Sequence, residues 1–262
     1  MPCIVTKLFR LPATVALVAM VSLSACATPP TDPDELAAYK ENNDPLEPMN
    51  RYFFEVNYAI DELFLKPVAS WYDAILPKPV EHSVHNFLRN LNGPVILAND
   101  LFQGNGKRAG ITAKRFLINS TLGVAGLFDV AADWFGITYH DEDFGQTLAV
   151  WGVPKGPYLV IPLLGPSTVR DTGGLMVDSA LTPTWYFVDT VITAVTAGSR
   201  MVETVNARSL VLEDVDRARE ASFDFYSFVR HAYLQRREAL IRDQKETRES
   251  DDSLYFPDET PK

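Results

Sequence analysis

Residues 44–63 read DPLEPMNRYFFEVNYAIDEL, and this stretch decides the fold class. Asp44 is a good helix N-cap, Pro45 suits the first helical position, and Glu47 stands three residues after the cap. Leu46, Met49, Phe53, Val56, Ile60 and Leu63 then recur at steps of three and four, an apolar stripe of helical period. Pro67 is expected to end the run. At the far end, Leu210 to Asp243 predicts a second long helix with Leu212, Val215, Ala218, Phe225, Val229, Ala232 and Leu240 on a face. Between them, Lys78 to Leu91, Pro94 to Phe102 and Lys107 to Asn119 each predict a helix, separated by Gly93-Pro94 and Gly104-Asn105-Gly106. Asp141 to Tyr158, with its glycines and aromatic or β-branched residues, is the candidate for a small β-hairpin. The expected class is mainly α, in one domain.

Three segments are unusually apolar: Leu122 to Phe135, Tyr158 to Gly165 and Thr184 to Gly198. None reaches 18 uncharged apolar residues, so none is expected to span a bilayer. Helices apolar nearly all round are either deeply buried or in contact with lipid. So many of them compete for one interior that lipid contact is expected for several, with a packed core as the other reading.

The 262 residues are 47% hydrophobic and 22% charged, an ordinary globular composition. The formal charge of −10 argues against a partner with a phosphate backbone, so no nucleic acid is expected. Lys7 and Arg10 precede an uncharged apolar run from Leu11 to Ala25, which predicts a secretory signal peptide over residues 1–25. Leu23-Ser24-Ala25-Cys26 resembles a bacterial lipobox, in which Cys26 takes a diacylglyceryl group and then an acyl group; plain secretory cleavage is the alternative. Signal removal takes away two basic residues and no acid, so the charge falls from −10 to −12. Several acyl chains on Cys26 would anchor firmly, at about 0.8 kcal/mol per buried methylene. Ala27 after the cysteine suggests sorting to the outer membrane. Residues 26–43 read as a lipidated flexible tether, 44–245 as the folded domain, and 246–262 as a charged, disordered tail.

Catalytic motifs fail on their surroundings. Asp171-Thr172-Gly173 has no second copy to share a proton, so an aspartic protease is not supported. Gly104-Asn105-Gly106-Lys107 lacks the other residues of a phosphate loop. His82 and His85 read as surface histidines, and His140-Asp141-Glu142-Asp143 as a solvated turn; no metal and no other cofactor is expected. No G-x-S-x-G elbow occurs. One basic cluster stands out: Lys107, Arg108, Lys114 and Arg115 are placed in one helical wedge with Ile111 and Ile118. It suits either contact with phospholipid headgroups or salt bridges to acidic neighbours. Gly123, Gly126, Gly173 and Gly174 are candidates for close backbone approach or hinge motion.

At this point a family resemblance emerges. DPLEPMNR at Asp44–Arg51, Phe102-Gln103-Gly104, RFLINSTLG at Arg115–Gly123, FDVA at Phe128–Ala131, DFGQTL at Asp143–Leu148, WGVPKGPY at Trp151–Tyr158 and PLLGPSTVRD at Pro162–Asp171 resemble, in order, the MlaA/VacJ family. YLQRR at Tyr233–Arg237 fits as well. The resemblance implies a lipoprotein that moves phospholipids from a ring-shaped bundle of short helices in the inner leaflet of a Gram-negative outer membrane. It implies an amphipathic channel that maintains lipid asymmetry, with the Asp133 to Val153 segment as a gate. The implied partners are a trimeric porin, a soluble periplasmic lipid carrier and, indirectly, an inner-membrane ABC transporter. Physical reasoning agrees: a charged headgroup crosses hydrocarbon only at several kcal/mol, and exposed tails cost more. A non-enzymatic role is expected; a phospholipid-cleaving enzyme and a passive porin-tethering scaffold are the rival readings.

Overall fold

The computed structural model describes the backbone of residues 44–182 and 190–255, together with Asp32; the signal peptide, Cys26 and the rest of the tether lie outside the described residues. The chain forms two compact units. The smaller joins residues 44–58 to Gly156–Val169, and the larger comprises Ala59–Lys155 and the chain from Arg170 onward. The fold is mainly helical with a single two-stranded antiparallel sheet among the described residues.

The smaller unit holds α1 (Glu47–Ile60) against a hairpin of β1 (Tyr158–Ile161) and β2 (Gly165–Thr168). Tyr158 faces Thr168 and Ile161 faces Gly165. The helix docks through amides rather than through its apolar stripe. Fully buried Asn50 donates to the Tyr158 carbonyl at 3.0 Å and accepts from the Val160 N–H at 2.9 Å. Two turns on, Asn57 donates to the Ile161 carbonyl at 2.9 Å and accepts from the Leu163 N–H at 2.7 Å. These two side chains complete the hydrogen bonds of an edge strand. The Asn57 contact also holds Leu163 at φ 66°, a left-handed conformation that costs a non-glycine residue about 1 kcal/mol.

The hairpin therefore lies downstream of the expected Asp141–Tyr158 segment. Asp143 decides this locally: its carboxylate accepts from the Gln146 N–H at 2.9 Å and starts a helix where strand was expected. The apolar run Tyr158 to Gly165 is strand and turn instead of a lipid-facing helix.

The larger unit begins with the last two residues of α1 and a single π-helical turn, Asp61–Leu65, which leads into α2 (Lys66–Ile75). Pro67 does not stop the helix; it occupies the first turn of α2, where its missing N–H is tolerated. Then come α3 (Lys78–Leu91), α4 (Gly93–Phe102) and α5 (Gly106–Thr121), close to the expected spans. Asn105 caps α5 by accepting from the Arg108 N–H at 3.1 Å. The run from Leu122 is a turn with Val124, Ala125 and Gly126 at positive φ before the short α6 (Val130–Phe135), so it is not one apolar helix. Next are α7 (Phe144–Val150), α8 (Val169–Leu181), α9 (Thr190–Ser209), α10 (Leu212–Ala221) and α11 (Phe225–Tyr255). The expected final helix is broken in two at Ser222-Phe223-Asp224, where Asp224 accepts from the hydroxyl of Ser227 at 2.7 Å. α11 runs on to Tyr255, so the first ten residues of the expected disordered tail are helical; residues 256–262, like the 184–189 part of the third apolar segment, lie outside the described residues.

Polarity is inverted. Among the described residues, buried polar and charged side chains outnumber buried apolar ones by more than two to one. Large apolar side chains lie outside: Trp71 is 73% exposed, Ile75 75%, Trp134 71% and Met176 70%. A water-soluble domain buries such residues and leaves charges in solvent.

The glycines are not equivalent. A Cβ on Gly123 would meet the Phe128 carbonyl at 2.3 Å, and one on Gly126 would meet the Asn90 side chain at 2.4 Å. Gly174 brings α8 onto α7, where a Cβ would lie 2.3 Å from the Gly145 nitrogen, whereas Gly173 faces open space. Gly174→Ala should lower stability by about 1–3 kcal/mol through overpacking. Gly173→Ala should raise it by about 0.5–1 kcal/mol, because glycine weakens a helix interior. Thermal melts of the detergent-solubilised protein check both signs; equal behaviour of the two variants would contradict the packing.

Candidate functional site

The interior of the larger unit is built from interlocked polar side chains. In α4, Asn99 donates to Asp178 at 2.8 Å and accepts from Thr147 at 2.9 Å. Gln103 donates to Thr147 and to Glu142, each at 3.1 Å. Arg108 of α5 donates to Glu142 at 3.0 Å and pairs with Asp243 of α11. One turn on, Thr112 donates to Asp100 at 2.6 Å, and His140 contacts the same carboxylate at 3.1 Å. Arg115 grips both oxygens of Asp129 at 2.7 and 2.8 Å and donates to the Ile137 carbonyl.

A second knot ties three helices. Arg237 of α11 pairs with Asp143 at the start of α7 and with Asp171 of α8 at 2.9 Å. Asp171 also accepts from Tyr233 at 2.7 Å and from Arg170 at 2.9 Å. Burial would raise both carboxyls, but Arg237 more than offsets it and holds Asp143 and Asp171 below the ordinary carboxylate range, with help from Gln146 and from Tyr233 and Arg170 respectively. The D-T-G trio is thus a structural ion pair.

The expected basic wedge divides. Arg108 and Arg115 point inward and are buried in ion pairs; Lys107 and Lys114, a residue earlier on each turn, are exposed. A step of one residue rotates about 100° around a helix, so the four cannot share one azimuth. The salt-bridge alternative describes the two arginines. The supposed solvated turn is also interior: Glu142 is 2% exposed, and burial pushes its carboxyl up to about 8 against the opposing pull of Gln103 and Arg108. Composition gave no sign of the inward charges; only the spacing of Arg108, Arg115 and Asp129 against a helix cap could have suggested them.

Asp100, His140 and Glu142 offer ligand atoms within 4.8 Å of one another. Protein donors already engage both carboxylates. Thr112 lies 3.2 Å from His140, yet a nucleophile-base arrangement does not result. Thr112 donates its hydroxyl proton directly to Asp100, so that proton is not offered to His140.

Three adjoining cavities open among these groups. The largest, about 580 Å³, is lined by residues including His85, Arg89, Arg108, Glu142, Glu203 and Arg236. A second of about 250 Å³ shares Leu88, Asn92, Asp141, Glu142 and Glu203 with it. A third, about 30 Å³, shares Arg89, Tyr139 and His140 and reaches Arg115 and Asp129. Charged side chains thus line the largest of these spaces, inside a unit whose exterior carries large apolar side chains.

The family model for MlaA lipoproteins matches residues 42–240. The chain belongs to the MlaA lipoprotein family. An intermembrane phospholipid transport system lipoprotein MlaA from Haemophilus influenzae is 32% identical over 240 residues, covering 90% of this chain and 93% of that one. The MlaA of the same description from Escherichia coli is 33% identical over 223 residues, covering 83% and 84%. An uncharacterised protein from Rickettsia felis is 36% identical over 200 residues, covering 76% and 78%. A solved structure from work on the structural basis for maintenance of bacterial outer membrane lipid asymmetry matches with a TM-score of 0.66 and 35% identity, covering 76% of this chain and 98% of that one. The MlaA family motifs at Arg115–Gly123 and Asp143–Leu148 coincide with the ion-paired interior.

Arg237 should control the acid limit of this protein. Depressed folded pKa values mean that stabilisation by Asp143 and Asp171 is complete above the unfolded value of about 4 and is lost as pH falls through the folded values. Arg237→Gln strips part-buried Asp143 of its guanidinium partner, while Asp171 keeps Arg170 and Tyr233, and should cost about 3 kcal/mol. The pH dependence should also flatten, since burial raises Asp143 once the guanidinium is gone: the variant should gain less stability than the wild type as pH rises toward about 4. Unfolding followed by circular dichroism between pH 3 and 7, roughly the carboxylate range and above, checks this.

Proposed function

We propose that this MlaA-family protein is a phospholipid-transport lipoprotein of the outer membrane that maintains lipid asymmetry. In this reading acyl chains on Cys26 anchor it, and its apolar faces lie in the inner leaflet. The carrying observation is the inverted polarity of the larger unit, in which a charged, cavity-containing interior stands behind exposed Trp71, Ile75, Trp134 and Met176. A lone charge in hydrocarbon costs at least about 3 kcal/mol, and a polar cavity removes that cost for the headgroup. Tails stay covered because the outer faces are as apolar as lipid. Fixed ion pairs such as Arg115–Asp129 hold the cavity walls without collapse. In this reading Lys107 and Lys114, which are exposed on α5, meet phosphates at the membrane boundary, and the ion-paired Arg108 and Arg115 support the wall from inside. Gly123, Gly126 and Gly174 set close packing around the cavity. The lipid then passes to a soluble periplasmic carrier, which exchanges it with an inner-membrane ABC transporter, and a trimeric porin holds the protein in place. No covalent step is needed, so the role is not enzymatic.

Full-length lipidated protein, reconstituted in vesicles containing labelled phospholipid, should release intact lipid to a soluble carrier protein. Lys107→Glu with Lys114→Glu should slow this release severalfold while the melting temperature holds. Mass spectrometry of the transferred lipid separates the readings. Intact species support transport; lyso products would establish the hydrolase, and absence of release above protein-free vesicles would leave only a scaffold.

A further inference from the structure

The cavity walls carry charges of both signs that the protein itself does not neutralise. Arg108, Arg115, Arg170, Arg208 and Arg237 each sit against a carboxylate. Arg89 of α3 and Arg236 of α11 line the 580 Å³ cavity and have no carboxylate within ion-pair distance among the described residues. The Arg89 guanidinium lies 3.4 Å over the Tyr139 ring, which fixes its position on the cavity wall. His85 beside it is pushed toward the neutral form by burial and by Arg89, so it adds no competing charge.

Glu203 of α9 lines both larger cavities and makes no hydrogen bond or ion pair among the described residues. Glu203 is exposed; desolvation nonetheless holds its carboxyl above the ordinary carboxylate range, with Arg200 opposing and Asp141 adding to the rise. Asp141 lines the same two cavities and accepts from the Tyr139 hydroxyl at 3.2 Å. Arg108 stands between Glu142 and Asp243 in the lining, with His140 beside them, and the second cavity adds Asp143, Asp178 and Arg200. The cavity thus presents two guanidinium groups without a carboxylate at ion-pair distance among the described residues, and two carboxylates, Glu203 and Asp141, with no such cation. Its volume is within the range of small-ligand sites, about 300–1,000 Å³.

We infer that this cavity selects phospholipids with a zwitterionic headgroup, the phosphodiester held by Arg89 and Arg236 and the ammonium by Glu203 and Asp141. The inference rests on the phospholipid-transport reading. A headgroup with a phosphodiester and no amine satisfies the arginines and leaves the carboxylates uncompensated, so it binds less well.

The test uses the full-length lipidated protein in nanodiscs of equimolar phosphatidylethanolamine and phosphatidylglycerol, with native mass spectrometry of retained lipid. Phosphatidylethanolamine should be enriched about fivefold, the ratio that a contact of about 1 kcal/mol gives. Glu203→Gln should bring the ratio close to unity while phosphatidylglycerol retention holds. Arg89→Gln with Arg236→Gln should reduce both lipids together, and each variant's melting temperature confirms folding. The wild-type ratio alone decides selection should a variant fail to fold. Equal retention of the two lipids by the wild type, or a preference that survives Glu203→Gln, overturns the inference. Recovery of no phospholipid on the wild type overturns the transport reading and this inference with it.

Discussion

Charges placed inside a protein must find partners there, and this requirement organises the larger unit. Arg237 joins the starts of α7 and α8 from a position on α11, through Asp143 and Asp171. Arg115 similarly fastens α5 to the loop before α6 through Asp129, whose oxygens also cap that helix. A buried ion pair is not in itself a strong source of stability, because desolvation costs about as much as the Coulomb attraction returns. Its effect is geometric: with one partner missing, the other charge is stranded, so only one arrangement of helices is acceptable. That specificity replaces the apolar core such a unit would otherwise have.

Two consequences follow for the outside and the inside. Because polar groups fill the interior, Trp71, Ile75, Trp134 and Met176 have nowhere to go but outward. A surface of that kind is unfavourable in water, at roughly 25 cal/mol per Å² of apolar area, and neutral against acyl chains. Because the interior groups are locked in pairs, they can surround open space without collapsing into it, as apolar side chains do. The same placement of polar residues thus accounts for the apolar exterior and for the open, charged cavity behind it, the two features on which the proposed function rests.

Much of this was legible from residues and some of it was not. Helices α3, α4 and α5 followed from apolar period and glycine breaks, since local signals suffice there. The family resemblance read from motifs such as DFGQTL and RFLINSTLG agrees with the match over residues 42–240. The hairpin was misplaced because glycines and aromatics within Asp141 to Tyr158 outweighed the Asp143 cap, a single side chain with a decisive hydrogen bond. The α1 stripe was legible as a helix, but its docking through Asn50 and Asn57 was not, because amides at that spacing look like ordinary surface polarity. The inward arginines were hidden for a related reason: whether a charge faces water or a partner depends on residues such as Asp129 and Glu142, which only the tertiary fold brings near.

The central claim is that apolar side chains of the larger unit face acyl chains while its charges face inward. Tryptophan fluorescence in vesicles tests it most directly, using a variant in which Trp71 is the sole tryptophan. Lipids brominated on their acyl chains should quench Trp71 strongly, and aqueous iodide should quench it weakly. Strong quenching by iodide with none by the brominated lipids would contradict the account.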